Sequence, residues 1–138
     1  LGMVTFPGWA LYCAGKFALE GLSEALAAEV ADLGIRVTLV EPGYFDTDFL
    51  TGESITLPAR TTDAYPGIRE MTAHHLAMPG SQIGDPAKAA AALVEITRQD
   101  GPLRQQLGSD AYRFALAKVD ALAGEVAAGR DLAHTTDY

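Results

Sequence analysis

Gly34-Ile35-Arg36-Val37-Thr38-Leu39-Val40-Glu41-Pro42-Gly43 is the stretch on which the fold turns. Between one glycine and a Pro-Gly pair lies a run that is β-branched and mostly apolar. That is the pattern of a central strand in a parallel sheet, covered on both faces. Such a strand cannot satisfy its own backbone groups and needs neighbours on both sides, and few other stretches of the chain can supply them.

Upstream, Leu11 to Leu33 contains no proline and is rich in Ala, Leu and Glu, so a helix is expected there. Leu11, Ala14, Ala18, Leu22, Ala25 and Leu26 recur at three-to-four spacing and form one apolar stripe. A helix buried on much of its surface follows from that stripe. Gly34 fits the residue just past its end, where a left-handed backbone is needed. Residues 1–10, with Gly2, Pro7 and Gly8, read as a loop entering the helix.

Downstream, residues 44–84 are polar and broken by Pro58, Pro66 and Pro79. A helix is expected within 63–76, and the rest is a long connection of the kind that forms lids or binding loops. Asp85-Pro86 starts a helix, Asp as cap and Pro in the first turn. It should run to about Arg98, with Ala89, Ala92, Leu93 and Ile96 facing inward. Gly101-Pro102 stops it, residues 103–107 suit a short strand, and Ser109-Asp110 is expected to cap a last helix to about Ala128. The tail, 130–138, is expected to be extended or loose. The order helix, strand, long loop, helix, short strand, helix gives an α/β chain: the C-terminal half of a doubly wound parallel-sheet Rossmann-type fold, with residues 1–138 as one unit and no first half.

The chain has 138 residues, 49% hydrophobic and 20% charged. This is the balance of a globular domain with a real core rather than a disordered segment. A net charge of −8 repels phosphate, which excludes nucleic acid and disfavours a membrane surface as partner. No run is long and apolar enough to span a bilayer, and no signal-peptide pattern is visible. The single cysteine, Cys13, cannot form an internal disulfide, so a cytoplasmic setting is expected. Leu1 stands where a Met would open a translated chain, and a longer parent protein, processed or cleaved, is one expectation.

Tyr12 and Lys16 stand four apart on the expected helix and share a face. A free tyrosine, with a pKa of about 10, is a poor acid or base at neutral pH. An ammonium beside it stabilises the phenolate and equips it to exchange a proton with an alcohol or carbonyl oxygen. The pair by itself also suits a surface tyrosine and a solvated lysine. His74 and His75 point in different directions on a loop helix, with no Cys, Asp or Glu at metal-ligand spacing, so no metal is expected. His134 reads as solvated. Cys13 reads as a small buried filler, and Trp9 as a residue packed at the rim of a site.

Context specifies the pair. The run Tyr12-Cys13-Ala14-Gly15-Lys16-Phe17-Ala18-Leu19-Glu20-Gly21-Leu22-Ser23-Glu24-Ala25-Leu26 closely resembles the active-site helix of short-chain dehydrogenases/reductases. The strand then leads into Glu41-Pro42-Gly43-Tyr44-Phe45-Asp46-Thr47, which is similar to that family's Pro-Gly motif followed by a threonine. The resemblance covers the whole chain and is firmest from Phe6 to Phe49. It implies an oxidoreductase using NAD or NADP, which transfers a hydride to or from a small-molecule secondary alcohol or ketone. Tyr12 would be the general acid/base. Lys16 would activate it and bond the nicotinamide ribose. Pro42 and Gly43 would turn the backbone away beside the cofactor, and Thr47 would bond the carboxamide. Trp9, Tyr44 and Phe45 would line the substrate pocket. In relatives of this kind the helix at 11–33 pairs with its symmetry mate, so a homo-oligomer is implied.

The departures are as informative. The family's glycine-rich phosphate loop and its Asn-Ala-Gly segment are absent from these residues. Its catalytic serine lies about thirteen residues before the tyrosine, a position just ahead of Leu1. A segment acting alone is then expected to be inactive. A different reading is a non-catalytic dehydrogenase remnant that serves as an oligomerisation or interaction module. The substrate, and the choice between NAD and NADP, are not written in these residues.

Overall fold

The computed structural model describes residues 1–138. Helix α1 spans Ala10–Val30 and tightens into a 3-10 turn, Ala31–Leu33. Gly34 ends it in the left-handed region (φ 69°), its N–H donating to the Ala31 carbonyl. Strand β1 is Leu39–Pro42, and strand β2 is Arg104–Leu107. They pair in parallel, from Leu39 opposite Arg104 to Pro42 opposite Leu107. Between them run a 3-10 turn at Asp48–Leu50, helix α2 at Pro66–Leu76 and helix α3 at Pro86–Arg98. Helix α4, Ser109–Ala128, and a short α5, Arg130–His134, complete the chain.

The α/β architecture, the parallel pairing and the element order agree with the reading of the sequence. The details differ for physical reasons. The strand expected over 35–41 is paired only from Leu39 to Pro42, because β2 is four residues long and offers no further partner. The sheet has two strands, so β1 has a neighbour on one side. The segment before β1 is held instead by Arg36, whose guanidinium donates to the Ile96 and Thr97 carbonyls at 3.2 and 2.8 Å and to the Gln99 carbonyl. One cation thereby caps the carboxyl end of α3. The tail is a helical turn rather than loose chain, since Ala133 and Thr135 N–H close onto Gly129 and Leu132.

The face of α1 is the largest correction. The stripe expected to be buried is open: Leu11 is 91% exposed, Leu22 66% and Leu26 44%. The face turned inward carries Cys13, Glu20, Ser23, Ala27 and Val30. It is anchored by charge, with Arg104 of β2 donating Nε to Glu20 at 2.9 Å and Nη2 to Glu24. The core is correspondingly small, formed by Cys13, Leu39, Leu50 and Ala111, with Asp110 and His75 buried beside it. No helix is long and apolar enough to cross a membrane.

Candidate active site

The carboxyl ends of β1 and β2 open onto a cavity of about 680 Å³. Its size is that of a small-molecule site. Tyr12, Lys16, Pro42, Gly43 and Thr47 all line it, as do Trp9, Tyr44 and Phe45. Residues separated by an entire helix and strand in the sequence thus meet around one space.

Tyr12 and Lys16 reach the cavity because α1 starts sharply. Pro7-Gly8 makes a turn in which Gly8 takes φ 86°, a conformation costly for any other residue. Cys13 N–H then closes the first helical turn onto the Trp9 carbonyl at 2.8 Å. One turn on, the Lys16 ammonium stands 5.5 Å from the centre of the Tyr12 ring. It enters none of the chain's ion pairs. The Tyr12 ring is wedged between Trp9, edge-to-face at 5.7 Å, and Phe49 at 5.8 Å.

The opposite wall begins where β1 ends. Gly43 N–H donates to the Leu107 carbonyl at 2.8 Å. Tyr44 N–H leaves the ladder and donates to Asp110 Oδ2 at 2.7 Å. Burial, and then the charge of Asp110, push the Tyr44 phenol above its ordinary pKa. Phe45 pairs with Gly84. Thr47 turns its hydroxyl back on the chain, accepting from Phe49 N–H at 3.4 Å and so starting the 3-10 turn. At that length the bond is weak, and the hydroxyl keeps capacity for a ligand.

Two groups that no motif singles out, His75 and Asp110, organise this wall. His75 is 2% exposed. Its Nδ1 lies 2.8 Å from the Met71 carbonyl and must carry a proton. Nε2 lies within hydrogen-bond distance of the Tyr44 hydroxyl, at 2.9 Å. The same ring packs on Trp9 at 4.9 Å and Phe6 at 5.7 Å, pinning α2 to both walls. His74, its neighbour, is exposed, as their different directions on the helix require. Asp110 was expected to cap α4 together with Ser109. It lies instead inside the first turn of α4, makes no cap, and spends its carboxylate on Tyr44.

At the base of the cavity, Glu41 Oε2 accepts from Gln106 Nε2 at 2.6 Å while Oε1 has no partner. Burial pushes the Glu41 carboxyl above its ordinary range. The Gln106 bond opposes that shift and nearby Glu20 adds to it.

A family profile described as short chain dehydrogenase matches residues 1–56. Oxidoreductase BOA17 of Botryotinia fuckeliana is 30% identical over 132 residues, covering 95% of this chain and 48% of that protein. A 3-ketodihydrosphingosine reductase of Bacteroides thetaiotaomicron is 33% identical over 108 residues, covering 78% of this chain and 40% of that one. The crystal structure of a short-chain dehydrogenase from Streptomyces avermitilis superposes with a TM-score of 0.84 at 39% identity, over 99% of this chain and 49% of that one. The chain thus spans about half the length of the proteins it matches, or less. With this fold, this helix and this turn held in common, the chain belongs to the short-chain dehydrogenase family.

Proposed function

We propose that these residues form the C-terminal catalytic half of an NAD- or NADP-dependent oxidoreductase acting on a secondary alcohol or ketone. The observation that carries this reading is the convergence of Tyr12, Lys16, Pro42, Gly43 and Thr47 on one cavity. The donor set suits a nicotinamide nucleoside. An ammonium without an ion-pair partner is available for ribose hydroxyls, and the weakly engaged Thr47 hydroxyl for a carboxamide. Lys16, Pro42, Gly43 and Thr47 would hold that group, which supplies or accepts the hydride when bound.

The protein's own part is proton transfer and enclosure. Tyr12 gives a proton to the carbonyl oxygen in reduction, or takes one from the hydroxyl in oxidation. Lys16 stabilises the phenolate by its charge. Trp9 and Phe49 hold the Tyr12 ring in place, and Trp9, Tyr44 and Phe45 present an aromatic wall to the substrate. The outer stripe of α1, apolar and open, suits a homo-oligomer formed through residues 11–33. The buried Cys13 thiol is at home in a reducing, cytoplasmic setting. The glycine turn that binds pyrophosphate in the family is absent from these 138 residues, so alone they should bind dinucleotide too weakly to turn over.

The test is an assay of the full-length protein with NADH and NADPH against a panel of apolar ketones, before and after Tyr12→Phe. Loss of one acid/base group should cut kcat by about 10²- to 10⁴-fold and leave dinucleotide affinity nearly unchanged. Near-normal turnover in the variant would remove Tyr12 from the mechanism.

A further inference from the structure

The two strands end side by side at the rim of the cavity, and one carboxylate sits close against both ends. β1 finishes with Pro42 opposite Leu107, and the last ladder bond runs from Gly43 N–H to the Leu107 carbonyl. Tyr44 N–H, the next donor, has Asp110 Oδ2 as its partner at 2.7 Å. Asp110 is 4% exposed, and its Oδ1 is buried with no hydrogen-bond partner.

The chain leaves room for this group from two sides. A Cβ on Gly43 would stand 2.1 Å from Oδ1 and 2.4 Å from Cγ. A Cβ on Gly108 would stand 2.6 Å from Oδ1, and Gly108 also has φ +99°. Both strand-end glycines are therefore required by the same carboxylate.

Burying a carboxylate with one short bond and one orphan oxygen is unfavourable. The positive end of the α4 dipole offsets part of that cost, but helix capping does not explain the arrangement. A capping aspartate bonds the amides of its own helix, as Asp85 does with Ala87 and Lys88. Asp110 reaches across to β1 instead. It does not itself line the cavity, whereas Pro42, Gly43 and Tyr44 do.

We propose that Asp110 is a positioning residue that sets the Pro42-Gly43-Tyr44 turn, and through it the wall against which a nicotinamide nucleoside would lie. This rests on the dehydrogenase reading of the cavity. Tyr44 is then fixed at both ends, its amide by Asp110 and its hydroxyl by His75. The turn and α2 are thereby linked through Tyr44 and His75.

Two measurements on the full-length protein test this separately from the function. In amide hydrogen exchange resolved at Tyr44, Asp110→Ala should speed exchange of that amide by about tenfold or more and leave the Leu39–Glu41 ladder nearly as protected as before. Asp110→Asn, which retains an acceptor, should restore protection. In parallel, NADH and NADPH fluorescence titration should show dinucleotide affinity falling about tenfold in Asp110→Ala and recovering in Asp110→Asn. Unchanged Tyr44 exchange in the alanine variant overturns the proposal. So does faster exchange with unaltered dinucleotide affinity, which would make Asp110 merely structural. Should Asp110→Ala not fold, Gly43→Ala reads the same contact, because its Cβ displaces the carboxylate; full protection of Tyr44 there also overturns it. If the unsubstituted protein binds neither dinucleotide, the dehydrogenase reading fails, and the exchange result still decides whether Asp110 sets the turn.

Discussion

The two long sides of α1 follow opposite rules. The side toward the sheet and the cavity is sparse in large apolar groups and dense in specific contacts: Tyr12 wedged between aromatic rings, Lys16 beside it, and Glu20 paired with Arg104. The side away from them is a row of leucines that touches little, with Leu11, Leu22 and Leu26 open to solvent. An apolar stripe marks the face that needs a cover, which is a different thing from the face that meets the rest of the same chain. Here the inner contacts gather around the cavity, and the outer row is left without a cover in these 138 residues.

The sharpest way to break this contrast is on the inner side. Lys16→Met keeps the length of the side chain and removes its charge. If one ammonium serves both the phenolate and the ribose, dinucleotide affinity and kcat should each fall by about tenfold or more, since a hydrogen bond to a charged group contributes about 1.5–3 kcal/mol. Steady-state kinetics with direct binding measurements separate the two. A loss of rate at constant affinity would leave Lys16 acting on Tyr12 alone.

On the outer side the expected loss is of assembly. Burying one leucine contributes about 1.5–3 kcal/mol, so Leu22→Glu should weaken self-association of the full-length protein at least tenfold in sedimentation equilibrium. An unaltered association constant would place the interface elsewhere, and the leucine row would then need a different cover.

The smallest effect concerns the floor between the sides, where Glu20 and Glu41 lie close together. Burial holds the Glu41 carboxyl above its ordinary range, so the folded state binds that proton more tightly than the unfolded chain does. The contribution of this group is therefore fully present at pH below the ordinary carboxylate range and is lost as pH rises through the elevated folded value. Glu41→Gln removes that loss. It should raise Tm at neutral pH by about a few degrees, with the gain shrinking as the solution is acidified. A variant less stable than its parent at pH 7 would mean that the Glu41 charge is satisfied by Arg104.

Element order was legible because each boundary carries local punctuation: Gly34, Pro42-Gly43, Asp85-Pro86 and Gly101-Pro102 act within a residue or two of themselves. The candidate site residues on α1 and after β1 stand out through their resemblance to the family's motifs rather than through spacing alone, and the fold brings them around one cavity. What could not be read depends on distant partners. The paired length of β1 is set by β2, and the inward face of α1 by Arg104. Asp85 and Asp110 make the clearest instance. Each stands at the start of a helix near a glycine, and both read as caps. Asp85 is one, and Asp110 is not, because the two glycines that admit its carboxylate against Tyr44 lie on different strand ends. His75 was legible as a residue turned away from His74, but its burial against Trp9 and Tyr44 required the fold.

The pairing of Phe45 with Gly84 has a further consequence. Asp46 N–H and Gly84 N–H bond to the Gly84 and Tyr44 carbonyls, both at 2.9 Å, and a Cβ on Gly84 would lie 2.6 Å from the Phe45 ring. The excursion between them is therefore stitched shut at its base. Because closure entropy grows only logarithmically, doubling such an excursion costs about 0.6 kcal/mol. Within it, Phe49, Leu50 and His75 are held against the site, so it is the exposed stretch 56–64 that can change length and side chains while the stitch keeps that variation from reaching β1. Novelty in this scaffold is thereby cheap at one place and expensive everywhere around it.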